Sequence, residues 1–308
     1  MEDVKSIRPG WYNAFRPWSL HGAVVPVLIG GAVAYVNGYM VWWIFLMVLL
    51  CGCLLQSAAN LLNTYGDYVK GIDTLDTVEN RSRSPELVTG TLKPKSVLLA
   101  GLACLGITAL CGMVFIWHIG WGIMIFGILG IAGAGLYTVG ISYKYYAMGL
   151  ISVFFMMGIL MPLGTYYVMS GEISNEVLLM SLPNAFIITA VLSGNETRDY
   201  HEDKRAGVMT LSGFFSYKGS LRLYIALNGI AFPILLVLIA LQMIPWACGL
   251  AFLALADMYI LAINWKDTPN DEKKKRLLVP LSFRMNWHFG LLLVAGYLIG
   301  QYLIAGAI

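Results

Sequence analysis

The chain has 308 residues, of which 58% are hydrophobic and only 12% are charged, and its formal net charge is +3. An average soluble domain carries about 25% charged residues. The composition therefore excludes an ordinary soluble protein and predicts an all-α, polytopic membrane bundle. We expect one transmembrane domain over residues 1–308 and no nucleic-acid partner.

Apolar runs long enough to cross a bilayer recur along the whole chain. A spanning helix needs about 20 mostly apolar residues. The runs predict nine transmembrane helices, over residues 20–37, 41–64, 96–116, 120–140, 149–170, 177–197, 221–242, 245–265 and 286–306. The long segment 66–95 and the segment 198–220 lie between spans, and we expect both to cap a functional site.

The positions of the basic residues predict the orientation of the bundle. With a cytoplasmic N-terminus, all 20 lysines and arginines fall in the N-terminal segment and in the loops after even-numbered spans. Cytoplasmic loops are the ones enriched in Lys and Arg. We therefore expect a multi-pass protein of the cell membrane, with its N-terminus in the cytoplasm and its C-terminus outside.

A first polar cluster follows the second span. Asn60, Asn63 and Asp67 are spaced i, i+3, i+7, so they share one face of a helix, and Asp73 follows shortly after. Carboxylates are costly in hydrocarbon, so acids at the membrane boundary indicate a functional site.

A second cluster follows the sixth span and has the same design. Asn195, Asp199 and Asp203 are spaced i, i+4, i+8 and share one helix face. Both clusters follow even-numbered spans, which puts them on the same, cytoplasmic, side of the membrane. We expect them to meet across one cavity.

Oxygen ligands of this kind suit Mg²⁺, which binds one or two carboxylates together with substrate phosphates. The expected metal ligands are Asp67, Asp73, Asp199 and Asp203. Nearby cations, Arg81, Arg83, Lys144, Arg198 and Lys204, could neutralise a departing diphosphate. Asp76, Glu79, Glu86 and Glu202 are equally well explained as solvated loop charges.

The two clusters resemble the motifs of a known family. The stretch from Gln56 to Asp73 resembles the first Asp-rich motif of the UbiA superfamily of intramembrane prenyltransferases, and the stretch from Asn195 to Leu211 resembles the second. The segment 137–140 and the segment 158–167 are similar to the branch that prenylates 1,4-dihydroxy-2-naphthoate in menaquinone biosynthesis.

Two positions depart from the family pattern. Thr64 stands where many relatives have Asp, and Leu150 stands where the naphthoate branch usually has an acid. The first departure shifts the expected metal binding onto the four remaining aspartates.

The resemblance implies Mg²⁺-dependent transfer of a polyprenyl group from a polyprenyl diphosphate to an aromatic acceptor. The expected acceptor is 1,4-dihydroxy-2-naphthoate, which would give demethylmenaquinone. Other acceptors of the family remain open: 4-hydroxybenzoate, homogentisate, and haem, chlorophyll or lipid precursors. Membrane lipids are the remaining expected partner, because the prenyl tail should leave the bundle sideways.

The resemblance also implies residue roles. The expected catalytic residues are Asn63, Asp67, Asp199, Asp203, Lys144 and Tyr137. The expected substrate-binding residues are Asn60, Arg81, Arg83, Asn195, Arg198, Lys204, Tyr65, His21 and Tyr166. Tyrosine rings, among them Tyr167, could stabilise an allylic cation through their π faces, and His21 could line the acceptor pocket.

Two other classes use similar residues. An ion-coupled transporter could hold its coupling ion in paired polar clusters, but such sites lie near the bilayer midplane, whereas both clusters here follow the ends of spans. A phosphatidyl- or phosphoglycosyl-transferring enzyme also uses Asp and Mg²⁺, but with a different acidic pattern in a single motif.

Overall fold

Nine apolar helices form the bundle. The structure is a computed structural model that describes residues 10–75 and 86–305. Within these residues the helices are α1 (Trp11–Val36), α2 (Trp42–Val69), α3 (Pro94–Ile119), α4 (Trp121–Gly135), α5 (Gly149–Ser170), α6 (Asn175–Arg198), α7 (Tyr217–Ala240), α8 (Trp246–Asn270) and α9 (Glu272–Ala305). Eight are long and apolar enough to cross a membrane, and α4 is the shorter ninth. The predicted all-α membrane bundle is confirmed, and each predicted span coincides with one helix.

Helix α1 begins with a break that sets the shape of the site. A first turn, Trp11–Phe15, ends at Arg16, whose φ of 52° is in the left-handed region. A single 3-10 turn, Pro17–Ser19, then leads into the long segment His21–Val36. Proline fits the first position of this turn because its missing N–H needs no partner there. The break turns the N-terminal segment across the end of α2.

Helix α5 is also irregular where it borders the interior. Its middle segment, Phe154–Leu160, is a π-helix flanked by two α-helical segments. Insertions of this kind occur often at functional sites because they re-aim side chains. Here Met156 and Met157 of the π segment face the central cavity, and Gly158 packs directly against Ala185 of α6.

The core lies around α9, which packs against α1, α6 and α8. Phe289, Leu293 and Tyr297 of α9 are fully buried. The Tyr297 hydroxyl donates a hydrogen bond to Glu176 of α6 at 2.8 Å, so its polar end is satisfied inside the bundle. Helix α6 is the other central element, and Met180 and Ile187 are fully buried in the same core.

Several predicted boundaries are wrong, and α1, for example, begins at Trp11 rather than 20. Helix α2 runs to Val69 rather than 64, so Asp67 is part of the helix and the predicted 66–95 segment leaves the helix only after Val69. Helix α9 begins at Glu272 rather than 286, and Asp271 accepts hydrogen bonds from the backbone N–H groups of Lys273 and Lys274 at its start. The first turns of α9 are charged, so a prediction based only on the length of apolar runs misses them.

Helices α8 and α9 are also joined by a buried acid. Asp257 of α8 pairs with Arg284 at 2.7 Å and with His288 at 2.6 Å, both from α9. Arg284 and His288 contact this acid away from the central cavity. Asp257 therefore has the partners that a carboxylate inside a bundle needs.

Candidate active site

One cavity of about 600 Å³ opens between the helices and receives both polar clusters. From the first cluster it is lined by Asn60, Asn63, Asp67 and Asp73, and from the second by Asn195, Arg198, Asp199 and Asp203. The four aspartates are all less than 8% exposed. The structure thus brings together residues that are more than 120 positions apart in the chain.

Local helix geometry aims each cluster inward. Helix α2 continues unbroken through Asp67, so Asn60, Asn63 and Asp67 share one face. The backbone N–H of Asp73 then bonds to the carbonyl of Asp67 at 3.2 Å, which folds Asp73 back beside it. Asp73 reaches the cavity because of this turn.

The second cluster crosses a helix end. Helix α6 ends at Arg198, Asp199 forms its C-cap, and the short helix Tyr200–Arg205 follows directly. The backbone N–H of Asp203 donates to the carbonyl of Asp199 at 2.8 Å, which keeps the helical register across the junction. Asp199 and Asp203 therefore stay on the face that Asn195 begins.

Asp67 is the centre of a network of hydrogen bonds and charges. The ammonium of Lys144 lies 3.0 and 2.9 Å from its two oxygens and 2.7 Å from Oδ1 of Asn63. The Tyr145 hydroxyl donates to Asp67 at 2.5 Å, and the Thr138 hydroxyl donates to Asn63 at 3.1 Å. The Lys144 ammonium therefore bridges Asn63 and Asp67 of α2. Lys144 belongs to the segment that follows α4.

Asp199 has a cation of its own. The guanidinium of Arg198 contacts both of its oxygens, with Nε at 2.7 Å from Oδ1 and a second nitrogen at 2.8 Å from Oδ2. This two-pronged geometry is the strong form of an arginine–carboxylate pair. Each acidic cluster thus has a cation bound to it at the cavity wall.

The N-terminal turn of α1 closes one side of the cavity. The Asn60 amide donates to the carbonyl of Phe15 at 3.0 Å and to the Ser19 hydroxyl at 2.9 Å. Arg16 lines the cavity and lies 3.5 Å from the Thr64 hydroxyl, the position that departs from the family pattern. A threonine there offers a neutral partner for the arginine where an aspartate would offer a charged one.

Two ionisable groups near the cavity mouth are shifted by their surroundings. Partial burial lowers the pKa of Lys70, whose ammonium lies 3.8 Å from the centre of the Tyr145 ring. Burial raises the pKa of the Glu86 carboxyl, which also lines the cavity, and the neighbouring Arg16 charge opposes that rise. The sequence was compatible with a solvated Glu86 in a loop, whereas the structure buries this side chain.

The far part of the cavity is apolar. Leu55 from α2, Met156 and Met161 from α5, and Ile188 and Leu192 from α6 line it. A cavity with a charged end and an apolar end suits a ligand that is polar at one end and apolar at the other.

A comparison with known protein families identifies the family of this chain. The profile of the UbiA prenyltransferase family matches residues 23–302. The chain belongs to the UbiA prenyltransferase family. It is therefore a multi-pass membrane prenyltransferase.

Two relatives cover most of the chain. It is 29% identical over 299 residues to the 1,4-dihydroxy-2-naphthoate octaprenyltransferase of Bacillus subtilis (strain 168), covering 93% of this chain and 91% of that protein. It is 30% identical over 281 residues to the UbiA prenyltransferase domain-containing protein 1 of Xenopus tropicalis, covering 88% and 79%.

Solved UbiA homologues share the fold. The apo structure from Aeropyrum pernix K1 aligns with a TM-score of 0.60 at 12% identity, covering 94% of this chain and 99% of that one. A homologue from Archaeoglobus fulgidus, bound to GPP and Mg²⁺, aligns with a TM-score of 0.54 at 14% identity, covering 96% and 99%.

The residues of this UbiA chain fit a metal that is completed by its substrate. Within residues 10–75 and 86–305, no three His, Cys, Asp or Glu side chains converge into a metal site of their own. The buried aspartates on the two walls instead offer separate carboxylates to one cavity. Mg²⁺ commonly binds in this way, with one or two carboxylates, several waters and substrate phosphates.

The other expected site residues fall into three groups. Lys144 and Tyr137 line the cavity. Arg81 and Arg83 lie outside the described residues. Five side chains are placed away from the lining: Tyr65, Tyr166, Tyr167, His21 and Lys204.

Specific packing accounts for these five side chains. Tyr65 packs in a cluster between α2 and α3, and Tyr167 lies against Phe126. Tyr166 receives a hydrogen bond from Asn37 at 3.2 Å, at the end of α1 opposite Arg16.

The last two lie closer to the site. His21 stacks on the edge of Phe283, which itself lines the cavity. Lys204 donates to the hydroxyl of Tyr200 at 2.7 Å.

Three contributors to the site were not expected from the sequence. Tyr145 donates to Asp67, Arg16 lines the cavity, and Glu196 lines it from the middle of the second motif. The adjacency of Tyr145 to Lys144, and the place of Glu196 between Asn195 and Asp199, are signals that could have drawn attention to them.

Proposed function

We propose that this prenyltransferase transfers a polyprenyl group from a polyprenyl diphosphate to 1,4-dihydroxy-2-naphthoate, in a Mg²⁺-dependent reaction that releases CO₂ and gives demethylmenaquinone in its reduced, hydroquinone form. The observation that carries the proposal is the meeting of two buried acidic clusters, each with its own cation, on one cavity that is apolar at its far end.

The proposal assigns the diphosphate to the polar end of the cavity. Asp67 and Asp73 on one wall, with Asp199 and Asp203 on the other, would hold Mg²⁺ against the diphosphate. When bound, Mg²⁺ supplies positive charge that stabilises the diphosphate as the allylic C–O bond breaks. Asn63 and Asn195 would orient the diphosphate through their side-chain amides.

The cations at the wall have a second task in this scheme. Lys144 is held between Asn63 and Asp67 and is only 15% exposed, so its charge reaches into the cavity with little screening. Contact with the diphosphate would let Lys144 shift from Asp67 toward the leaving group, with Arg198 acting from the opposite wall. Fixed positive charge where negative charge develops lowers the barrier to bond breaking.

The allylic cation formed in this step needs electron-rich surfaces and protection from water. Tyr137 and Tyr143 both line the cavity, with ring centres 5.4 Å apart in an edge-to-face arrangement. An aromatic face attracts a nearby cation by about 0.5 to 2 kcal/mol. We assign the cation-stabilising role to these two rings, since Tyr65, Tyr166 and Tyr167 are packed elsewhere.

The choice of acceptor is supported by one relative. The Bacillus subtilis protein named for this acceptor is 29% identical and aligns along 93% of the chain, which supports the same acceptor here. The distribution of Lys and Arg supports a cell-membrane location with the charged end of the cavity and the N-terminus in the cytoplasm. A cytoplasmic opening would give water-soluble acceptor and Mg²⁺ direct access.

A transfer assay tests this function. The purified full-length protein is reconstituted in lipid vesicles and incubated with a radiolabelled polyprenyl diphosphate and a panel of aromatic acceptors, with Mg²⁺ and with EDTA. The expected result is a lipid-soluble labelled product with 1,4-dihydroxy-2-naphthoate that is lost with EDTA. Asp67→Ala and Asp199→Ala should each abolish it, while Asp267→Ala, at the end of α8, should not.

Other outcomes would overturn the proposal in distinct ways. Product with a different acceptor would replace the naphthoate assignment and keep the site. Full activity in both Asp67→Ala and Asp199→Ala would reject the two-cluster site. Uptake of a solute into vesicles with no labelled product would favour the transporter alternative.

A further inference from the structure

One buried acid on the cavity wall has no part in the scheme above. Glu196 lies on α6, three residues before Asp199, and is only 6% exposed. Its side chain lines the cavity together with Tyr137. A carboxylate that faces a largely apolar interior is costly to bury and calls for a functional explanation.

The orientation of this carboxylate is fixed at one oxygen. Glu196 Oε2 accepts a hydrogen bond from the backbone N–H of Ser212 at 3.0 Å, and that N–H is itself buried. The segment that contains Ser212 therefore fixes the position of the Glu196 carboxylate through Oε2. The second oxygen, Oε1, is left to interact with other groups at the cavity wall.

Glu196 Oε1 and the Tyr137 hydroxyl both border Gly149. Each is within 3.5 Å of the point where a Cβ at position 149 would stand. A larger side chain at this position would crowd both oxygens. Gly149 thus leaves room for an acceptor and a donor at the start of α5, where the family resemblance leads one to expect an acid but Leu150 supplies none.

The charges around Glu196 leave it unneutralised. Asp203 is a like charge, and Lys144 is an opposite charge that is already bound to Asp67 and Asn63. The Tyr137 hydroxyl borders Gly149 together with Glu196 Oε1. Among the described residues Glu196 forms no ion pair, so its free oxygen is available to a ligand hydroxyl.

We propose that Glu196 is the catalytic base that binds the hydroxyl of the aromatic acceptor and takes its proton, with the Tyr137 hydroxyl positioning the same acceptor. This inference rests on the proposed function, and it identifies the acceptor class as a hydroxylated arene. It also separates the cavity into a donor wall, built on Asp67 and Asp199, and an acceptor wall at Glu196.

The C–O bond breaks with its electron pair leaving on the diphosphate, and the ring carbon then forms its bond to the allylic cation. The acceptor hydroxyl becomes a ring ketone, and its proton passes to Glu196. Loss of the carboxyl group as CO₂ from the substituted carbon then restores the aromatic ring, and the proton returns from Glu196 to the ring oxygen.

The key variant is Glu196→Gln, which keeps the shape and the bond from Ser212 but cannot accept a proton. We expect kcat for prenyl transfer to fall about 100-fold, a typical loss for a general base, with the KM for the prenyl diphosphate unchanged. The matched control is Glu176→Gln on the same helix, whose carboxylate pairs with Tyr297 at the far end of α6; it should retain wild-type kcat.

A second acceptor separates base catalysis from a structural effect. A ring-fluorinated dihydroxynaphthoate ionises more readily, so it needs a base less, and the ratio of wild-type to Glu196→Gln rates should shrink toward one. A ratio that stays the same for both acceptors would show that Glu196 acts only through structure. Wild-type kcat in Glu196→Gln would overturn the proposal outright.

These failures differ from failure of the proposed function. If the wild-type protein transfers no prenyl group to any hydroxylated arene, the function itself is wrong. If it does so and Asp67→Ala is inactive while Glu196→Gln is fully active, only the role of Glu196 is wrong.

Discussion

The ion pair between Asp67 and Lys144 gives a prediction whose size follows from the structure. The perturbation is a double-mutant cycle with Asp67→Asn, Lys144→Met and the two combined. The ammonium lies 2.9 Å from Oδ2, and the two side chains are 3% and 15% exposed. Water therefore screens the pair weakly, unlike a surface pair.

Each single change removes this ion-pair contact and leaves the other charge in the cavity wall. Breaking a buried pair in this way costs about 3 to 5 kcal/mol. Asn63 and Tyr145 remain as neutral partners of the survivor, so we expect the lower end, about 3 kcal/mol, for each single variant. The double variant leaves no stranded charge, so its loss should not exceed that of either single variant. A loss of about 3 kcal/mol, compared with about 6 kcal/mol for the sum of the two single variants, gives a coupling energy of about 3 kcal/mol.

Unfolding of the purified protein in mixed micelles, followed by circular dichroism, measures these free energies. The matched control is the pair Asp267–Lys274, which is 3.7 Å long with side chains 54% and 33% exposed. The same cycle there should give a coupling energy below about 0.5 kcal/mol. A coupling energy at Asp67–Lys144 as small as that of the control would refute the account of the donor wall.

Three further predictions concern packing, pH and the donor site. Gly158→Ala should lower the melting temperature, because the new Cβ would stand 2.8 Å from a backbone atom of α6. Overpacking of this kind costs about 1 to 3 kcal/mol. In the control variant Gly106→Ala the new Cβ would meet nothing within 4 Å, so the melting temperature should stay the same or rise. Burial raises the pKa of Glu86 above its ordinary value of 4.5, so this carboxyl costs stability once the pH exceeds its unfolded pKa. Glu86→Gln should therefore gain stability relative to wild type as the pH rises above 4.5, and a pH-independent difference in melting temperature would contradict this. Tyr145→Phe removes a donor to Asp67 and should weaken Mg²⁺-dependent prenyl diphosphate binding by about tenfold, as measured by calorimetry; unchanged affinity would show that the hydroxyl has no role.

The sequence was sufficient for the helices because the membrane imposes one simple rule. A span must be apolar over about 20 residues, and all nine predicted spans coincide with helices of the bundle. The same rule fails where a helix leaves the hydrocarbon. Helix α9 continues through the charged residues that begin at Glu272, and only the capping contacts of Asp271 show where it starts.

The site was predictable only where residues lie on one helix. Helical spacing was enough to group Asn60 with Asp67 and Asn195 with Asp203. The contacts of Tyr145 and Glu196 depend on how the segment after α4 and the segment after Arg205 fold back onto the cavity, and no periodicity records those paths. The same limit explains Tyr166, whose position at the far end of the bundle follows from helix packing rather than from its motif.

The claim that two distant clusters form one metal–diphosphate site is tested most directly by ligand binding without turnover. A non-reactive polyprenyl thiodiphosphate is titrated into the purified protein with and without Mg²⁺, for wild type, Asp67→Asn and Asp199→Asn. The account predicts tight binding that requires Mg²⁺ and that weakens about 100-fold in both variants, since each removes a ligand from a shared site. Wild-type, Mg²⁺-dependent affinity in either variant would contradict it.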